Sequence, residues 1–166
     1  MYLYVISLAY CKLVDPAGHT LPWFIPELEH VAMRIIPWSA YYELESEAWQ
    51  RQLPTGGHVV HLANLDGTVG THTVAVFHQL RCCDILRQAY LDEGSHRTSP
   101  LASHCMNYIR QTLLCHMDMR NEEQGSHPTN NGADTLCYDW EAIYEEAERN
   151  SKAYSHYLSQ AQSTQV

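Results

Sequence analysis

The feature that most constrains the fold of this chain is a helical pattern that occurs twice, 23 residues apart. HQLRCCDILRQ at 78–88 aligns with LASHCMNYIRQ at 101–111. Both copies place a basic residue or histidine, a cysteine, Asp or Asn, an aliphatic residue, arginine and glutamine in the same register. Amphipathic helices reuse residues, so chance is one explanation of the match. The other is two structurally equivalent helices, which would pack together through the same face.

Helical spacing indicates what these segments can assemble. His78 lies three residues before Arg81 and four before Cys82, so the three side chains share one face. His104 opens the equivalent face of the second copy. If the helices pack as an antiparallel or crossed pair, His78, Arg81 and His104 converge. Either histidine alone is typical of a hydrogen-bonded surface residue, whereas together they are candidate catalytic or metal-binding residues.

The remaining pattern predicts one α+β domain, mainly helical, with a small antiparallel β-hairpin. The hairpin is predicted over residues 57–77, where two Val/Leu/Thr-rich runs flank the turn-forming pair Asp66-Gly67. Helices are predicted over four segments: 39–53, 78–92, 101–120 and 140–160. We expect a single domain over residues 1–160 and a frayed tail over 161–166.

The charge balance argues against nucleic acid as a partner. Nineteen acidic and ten basic residues give a formal charge of −9, and no basic stretch is long enough to neutralise phosphates. We therefore expect a small-molecule or peptide substrate. The last predicted helix carries apolar residues that would allow a homodimer contact: Ile143, Tyr144, Ala147 and Tyr154.

The first ten residues, MYLYVISLAY, are apolar but shorter than the roughly 20 residues that a membrane-spanning helix needs. We predict a first strand or short buried segment, with the remnant of a membrane anchor as the alternative. Membrane association is therefore not expected of this chain.

Three motifs give the chain a resemblance to a known family. HQLRC at 78–82 follows an apolar strand, HCMNYIRQTLLCHMD spans 104–118, and CYDW spans 137–140. In order, spacing and residue types, these motifs resemble the UstYa-like family of fungal oxidases, which act in the biosynthesis of cyclic peptides and other secondary metabolites. The resemblance covers about residues 55–150. It implies a fungal biosynthetic enzyme that forms a ring in a secondary metabolite or peptide, by oxidative cyclisation.

The resemblance also implies copper as a cofactor, but two expected histidines are absent. The family pattern has His-x-x-His-Cys twice, and here Arg81 and Leu101 each replace one histidine. His78 and His104 remain as metal ligands. Since two imidazoles bind copper weakly compared with three or four donors, a third ligand is needed. The candidates for it are Asp84, His116, Asp118 or a nearby histidine.

Three kinds of function therefore stay open. In the first, His78 and His104 bind copper and the reaction is oxidative. In the second, Arg81 holds an anionic or enolate oxygen while the two histidines act as general acid and base. That arrangement would run a redox-neutral cyclisation, dehydration or isomerisation without metal. In the third, the chain is a non-catalytic partner protein.

The cysteines bear on the compartment. The resemblance implies a disulfide between Cys115 and Cys137. Cys82 and Cys105, at matched positions of the two copies, either pair with each other or are small buried residues. Disulfides would indicate the lumen of the secretory pathway, and the cytoplasm is expected otherwise.

Aromatic residues crowd the N-terminal third of the chain. Residues 23–49 are therefore a candidate for the side of a substrate pocket that faces the two histidine helices, because such pockets need apolar walls. The alternative is that these side chains form part of the core.

Overall fold

The computed structural model describes residues 21, 23, 27–36, 38–64, 66–92, 99–116 and 133–163. Over these residues the elements follow the chain as β1 His30–Ile35, β2 Val59–Ala63, β3 Val69–Thr73, α1 Ala75–Leu91, α2 Pro100–Cys115, β4 Ala133–Tyr138 and α3 Glu141–Ser163. A short 3₁₀ helix, Glu47–Arg51, precedes β2. The predicted fold class, a mainly helical α+β domain with a small hairpin and two packed motif helices, is confirmed.

The predicted hairpin is formed by β2 and β3, which pair antiparallel from Val59 with Thr73 to Ala63 with Val69. Gly67 adopts a φ of 82° in the turn, a conformation that residues with a Cβ rarely take. The carboxylate of Asp66 accepts hydrogen bonds from the backbone N–H and the hydroxyl of Thr68. Asp66 and Gly67 therefore form the turn that the sequence predicted.

A second strand pair, β1 with β4, was not predicted. The two strands pair antiparallel from His30 with Tyr138 to Ile35 with Ala133. Arg34 and Asp134 add an ion pair at 2.7 Å on the exposed surface. Because β4 follows a long polar segment and pairs with a strand about 100 residues away, no local pattern indicates this contact.

The core lies where α3 packs against the start of α1. Phe77, Ile143 and Ala147 form its buried centre. Asn150 of α3 is fully buried, and its side-chain amide pairs with both backbone groups of His61, accepting from the N–H at 2.8 Å and donating to the carbonyl at 2.7 Å. These two bonds attach α3 to strand β2. They use the edge of β2 that faces away from β3, where no other strand pairs among the described residues.

Segment 39–53 departs most from the prediction. In place of a helix it forms a series of turns followed by the 3₁₀ helix, whose N-cap is Ser46. The Ser46 hydroxyl accepts from the N–H of Ala48, so a cap begins a new helix within the segment. The predicted first strand in residues 1–10 lies outside the described residues.

The helix ends also shift slightly. Helix α1 begins three residues before the predicted start, at Ala75, and α2 ends at Cys115, before the predicted residue 120. Helix α3 continues to Ser163, into the segment predicted to fray. No helix of the described residues is both long enough and apolar enough to cross the bilayer.

Candidate functional site

The two copies of the helical pattern meet at their cysteines. Cys82 of α1 and Cys105 of α2 are both buried, and their thiols are within hydrogen-bonding contact. Burial, and secondarily the neighbouring Cys105 thiol, raises the pKa of Cys82 to about 12. Of the two alternatives from the sequence, these residues are therefore buried free thiols rather than a disulfide. Because they occupy matched positions, their contact brings equivalent faces of α1 and α2 together.

Four aromatic side chains form a group of rings, here called the histidine cluster: His58, His78, His104 and Tyr108. The ring centroids of His78 and His104 are 5.9 Å apart. Tyr108 stacks on His78 with centroids 4.3 Å apart, and lies 6.2 Å from His104. The ring centroid of His58 lies 6.4 Å from that of His78. The structure thus brings His78 and His104 together.

Local backbone structure positions His58. Gly57 just before it has a φ of 74°, and the chain turns there into strand β2. The carbonyl of His58 then accepts a hydrogen bond from the N–H of Val74, the N-cap residue of α1. This bond fixes His58 next to the first turn of α1, within reach of His78.

The environment of His78 favours its neutral form. Burial lowers the pKa of His78, and the positive charges that His104 and His58 carry when protonated lower it further. His78 is half-buried, while His104 is exposed on α2. A neutral, partly desolvated imidazole beside an accessible one is an arrangement suited to proton transfer.

Arg81 pairs with a carboxylate of its own helix. Its guanidinium donates to the carboxylate of Asp84 at 3.2 Å, one turn along α1. Asp84 also accepts from Arg87, at 2.7 and 2.9 Å, and from Gln88 at 2.7 Å. Arg87 in turn donates to the carbonyl of Leu44 at 2.8 Å. Arg81 is therefore part of a hydrogen-bond network that attaches α1 to residues 44–49.

The predicted third metal ligand is not supplied by the described residues. Within them, no three histidine, cysteine or acidic side chains form a group that could hold a metal ion. Asp84 is engaged by two arginines. His116 lies about 18 Å along α2 from His104, by helix rise, and Asp118 is outside the described residues. This donor set does not fit a copper site with three or four ligands.

An apolar pocket of about 470 Å³ lies on the other side of α1. Its walls include Val76 and Leu80 of α1, together with the aromatic residues Tyr41, Trp49, Trp140 and Tyr144. At 3.6 residues per turn, His78 is about 200° around the helix from Val76. Two aromatic residues of segment 23–49 therefore line a pocket, as predicted, but that pocket faces away from the histidines.

Two members of the cluster, Tyr108 and His58, were not predicted from the sequence. Tyr108 is four residues after His104, so the helical spacing that grouped His78 with Cys82 also placed Tyr108 on the face of His104. His58 precedes β2, and its position depends on the turn and on the hydrogen bond to Val74, which no sequence pattern reveals. Cys115 and Cys137, for which the resemblance implied a disulfide, are free thiols in this structure.

Comparison with known protein families matches residues 35–150 to the family model described as mycotoxin biosynthesis protein UstYa. Among curated proteins, UstYa family oxidase phomYb of Diaporthe leptostromiformis is 29% identical over 158 residues, covering 80% of this chain and 62% of that protein. UstYa family oxidase phomYe of the same fungus is 36% identical over 85 residues, covering 42% of this chain and 30% of that protein.

Oxidase ustYa of Aspergillus flavus is 34% identical over 86 residues, which cover 46% of this chain and 40% of that protein. The chain thus spans less than two thirds of the length of each of these relatives. No solved structure matches the chain significantly.

Proposed function

The chain belongs to the UstYa family of mycotoxin biosynthesis proteins, and from this premise we propose that it is a ring-forming enzyme of fungal secondary metabolism. Two of its relatives are named UstYa family oxidases and a third Oxidase ustYa, all from fungi. The observation that carries the proposal is the distance of 5.9 Å between the ring centroids of His78 and His104, on the matched helices α1 and α2. The substrate is a small molecule or peptide.

The chemistry that fits these residues best is proton transfer. His78, whose pKa is lowered, is the general base that takes a proton from the substrate atom that forms the new bond. His104, exposed on the neighbouring helix, is the acid that returns a proton to the acceptor atom. The proton count then balances within the substrate, and the reaction is a redox-neutral ring closure. Positioned acids and bases of this kind contribute about 10²–10⁴-fold in rate.

The proposed role of Tyr108 is to orient the base. Its ring stacks on His78 at 4.3 Å with an interplanar angle of 26°, which restricts the rotation of the imidazole. We give Arg81 no part in the proposed reaction, because its guanidinium donates to the carboxylate of Asp84 at 3.2 Å. The proposed reaction needs no metal, and the described residues contain no group of three or more possible metal ligands.

Oxidative ring closure is the second candidate, and the names of the relatives, which are oxidases, favour it. The two candidates differ in atom balance. The proposed closure, which returns the proton to the substrate, leaves the elemental composition of the precursor unchanged, whereas an oxidative closure removes two hydrogen atoms and needs an electron acceptor such as dioxygen.

The test compares metabolites from the producing fungus by high-resolution mass spectrometry. Deleting the gene of this chain should make a precursor accumulate, and restoring it should convert that precursor to a product of identical composition. A product lacking two hydrogens would replace the redox-neutral proposal by the oxidative one. Purified protein and precursor should then react without oxygen and with a strong chelator present.

Variants test whether the reaction takes place at the histidine cluster. His78→Ala and His104→Ala should each lower product formation at least about 100-fold if these residues transfer protons. His116→Ala is the matched control, since His116 is an exposed histidine at the far end of α2. Folded His78→Ala and His104→Ala proteins that make product at the normal rate would favour a non-catalytic partner protein instead.

A further inference from the structure

The second copy of the helical pattern carries polar residues that the proposed reaction does not use. Asn107 and Arg110 of α2 stand 23 residues after Asp84 and Arg87 of α1. On α1, the carboxylate of Asp84 lies 2.7 Å from the guanidinium of Arg87. On α2, the matched residue Asn107 is neutral. Among the described residues no carboxylate pairs with Arg110, and its side chain is exposed.

Arg110 lies at a cleft between α2 and the second half of α1. The cleft has a volume of about 620 Å³, within the range of small-molecule sites. Ser103, Asn107 and Arg110 supply its polar side. Leu86 and Ala89 of α1, with Met106 of α2, supply an apolar side. The cleft therefore offers one cation and two neutral hydrogen-bonding side chains next to a hydrocarbon surface.

These features select a class of ligand. The planar guanidinium of arginine matches a carboxylate with two parallel hydrogen bonds. A single cation balances one negative charge, and the apolar side would cover a hydrocarbon body. In a chain of formal charge −9, this uncompensated arginine is a local exception that would attract such an anion.

We propose that Arg110 and Asn107 form a binding site for a small organic monocarboxylate with an apolar body. The ligand carboxylate takes the place that Asp84 occupies beside Arg87 in the first copy. The site is separate from the histidine cluster and does not depend on the proposed reaction, because binding is measured without turnover.

The test is a titration of the ¹⁵N-labelled full chain followed by NMR. The probe is 3-phenylpropanoate, and its neutral isostere 3-phenylpropanamide and inorganic phosphate are titrated in parallel. We expect saturable shifts at residues 103, 107 and 110 with the carboxylate. Binding of the amide should be about tenfold weaker or more, since a hydrogen bond to a charged group contributes that much. Phosphate, which lacks an apolar body, should also bind more weakly.

Two variants remove the site in different ways. Arg110→Gln deletes the cation, while Asn107→Asp keeps it and supplies an internal carboxylate three residues away, as Asp84 does for Arg87. Each should weaken binding of the probe about tenfold or more. Arg51→Gln is the matched control, since Arg51 is an exposed arginine outside the cleft, and should bind as the parent chain does.

Several outcomes would overturn the proposal. They are unchanged binding by Arg110→Gln or by Asn107→Asp, an equal loss in Arg51→Gln, amide binding as tight as carboxylate binding, or phosphate binding as tight as the probe. Circular dichroism of each variant establishes that it is folded before titration. Because both positions are exposed, we expect native spectra.

Discussion

The two motif helices share a sequence pattern but differ in what surrounds them. Helix α1 buries Phe77, Cys82 and Asp84. Its hydrogen-bond network around Asp84 contacts residues 44–49 through Arg87. Helix α2 buries only Ala102 and Cys105 among its described side chains. Several of its large apolar side chains are exposed: Leu101, Met106, Leu113 and Leu114. One copy of the pattern is built into the core, and the other is attached to it at the surface.

The difference gives the two copies different environments. Helix α1 holds His78 in a fixed, partly desolvated position, because the helix is anchored on two sides. Helix α2 presents His104, Asn107 and Arg110 to solvent, where a ligand can reach them. Residues that are structural in the first copy are thus available for binding in the second.

The largest effect expected from this comparison is on stability. Phe77→Ala removes a fully buried ring that contacts Tyr144 edge-on at 4.9 Å. It should lower the free energy of unfolding by about 3–5 kcal/mol, the usual cost of such a cavity. Leu113→Ala on α2 is the control and should cost about 0.5 kcal/mol or less, since Leu113 is exposed. Urea unfolding of both variants measures the difference, and similar midpoints would contradict the contrast.

A second variant gives α1 the neutral residue that α2 has at the matched position, Asn107. Asp84→Asn leaves the guanidinium of Arg87, which is only 14% exposed, without a carboxylate. We expect a loss of about 3 kcal/mol in the free energy of unfolding, because an uncompensated buried charge is costly. The reciprocal exchange, Asn107→Asp, should change stability by about 0.5 kcal/mol or less, since both residues there are exposed. Equal effects of the two exchanges would show that the copies have equivalent surroundings.

The sequence predicted the parts of this arrangement that depend on local pattern. Helical spacing and the offset of 23 residues predicted that α1 and α2 pack together and that His78 and His104 converge. The same reasoning did not include the ion pair of Arg81. Asp84 follows it at i+3, and that local ion pair competes with a position in the cluster. The i, i+3 spacing of Arg81 and Asp84 is visible in the sequence. Whether Arg81 turns to Asp84 or to His78 depends on the residues that pack against each face of α1.

Other features depend on contacts that no local pattern contains. The β1–β4 pair joins segments about 100 residues apart, and the approach of His58 depends on a turn and one backbone hydrogen bond. Segment 39–53 has a helical pattern, yet Ser46 caps a new turn inside it and Trp49 packs beneath Arg87 at 5.5 Å. In each case a tertiary contact outweighs local propensity.

The smallest effect concerns the pKa of His78, which depends on contributions from both helices. Burial lowers it most, followed by the charge of His104 and then that of His58. His104→Gln should therefore raise the pKa of His78 towards its ordinary value, and His58→Gln should raise it less. An NMR titration of the His78 ring protons measures both. A larger shift in His58→Gln would show that His58 affects the pKa of His78 more than His104 does.

The same shift sets the direction of a pH effect on stability. Because the pKa of His78 is lower in the folded chain, the unfolded chain binds more protons once the pH falls below about 6.5. The contribution of His78 to stability is therefore present above that pH and is lost as the pH falls through the folded-state value. His78→Gln should flatten this part of the stability profile, measured by urea unfolding between about pH 5 and 7.5. His116→Gln, at an exposed position outside the cluster, should leave it unchanged. An unchanged profile in His78→Gln would mean that burial and the neighbouring histidines do not lower the pKa of His78 in solution.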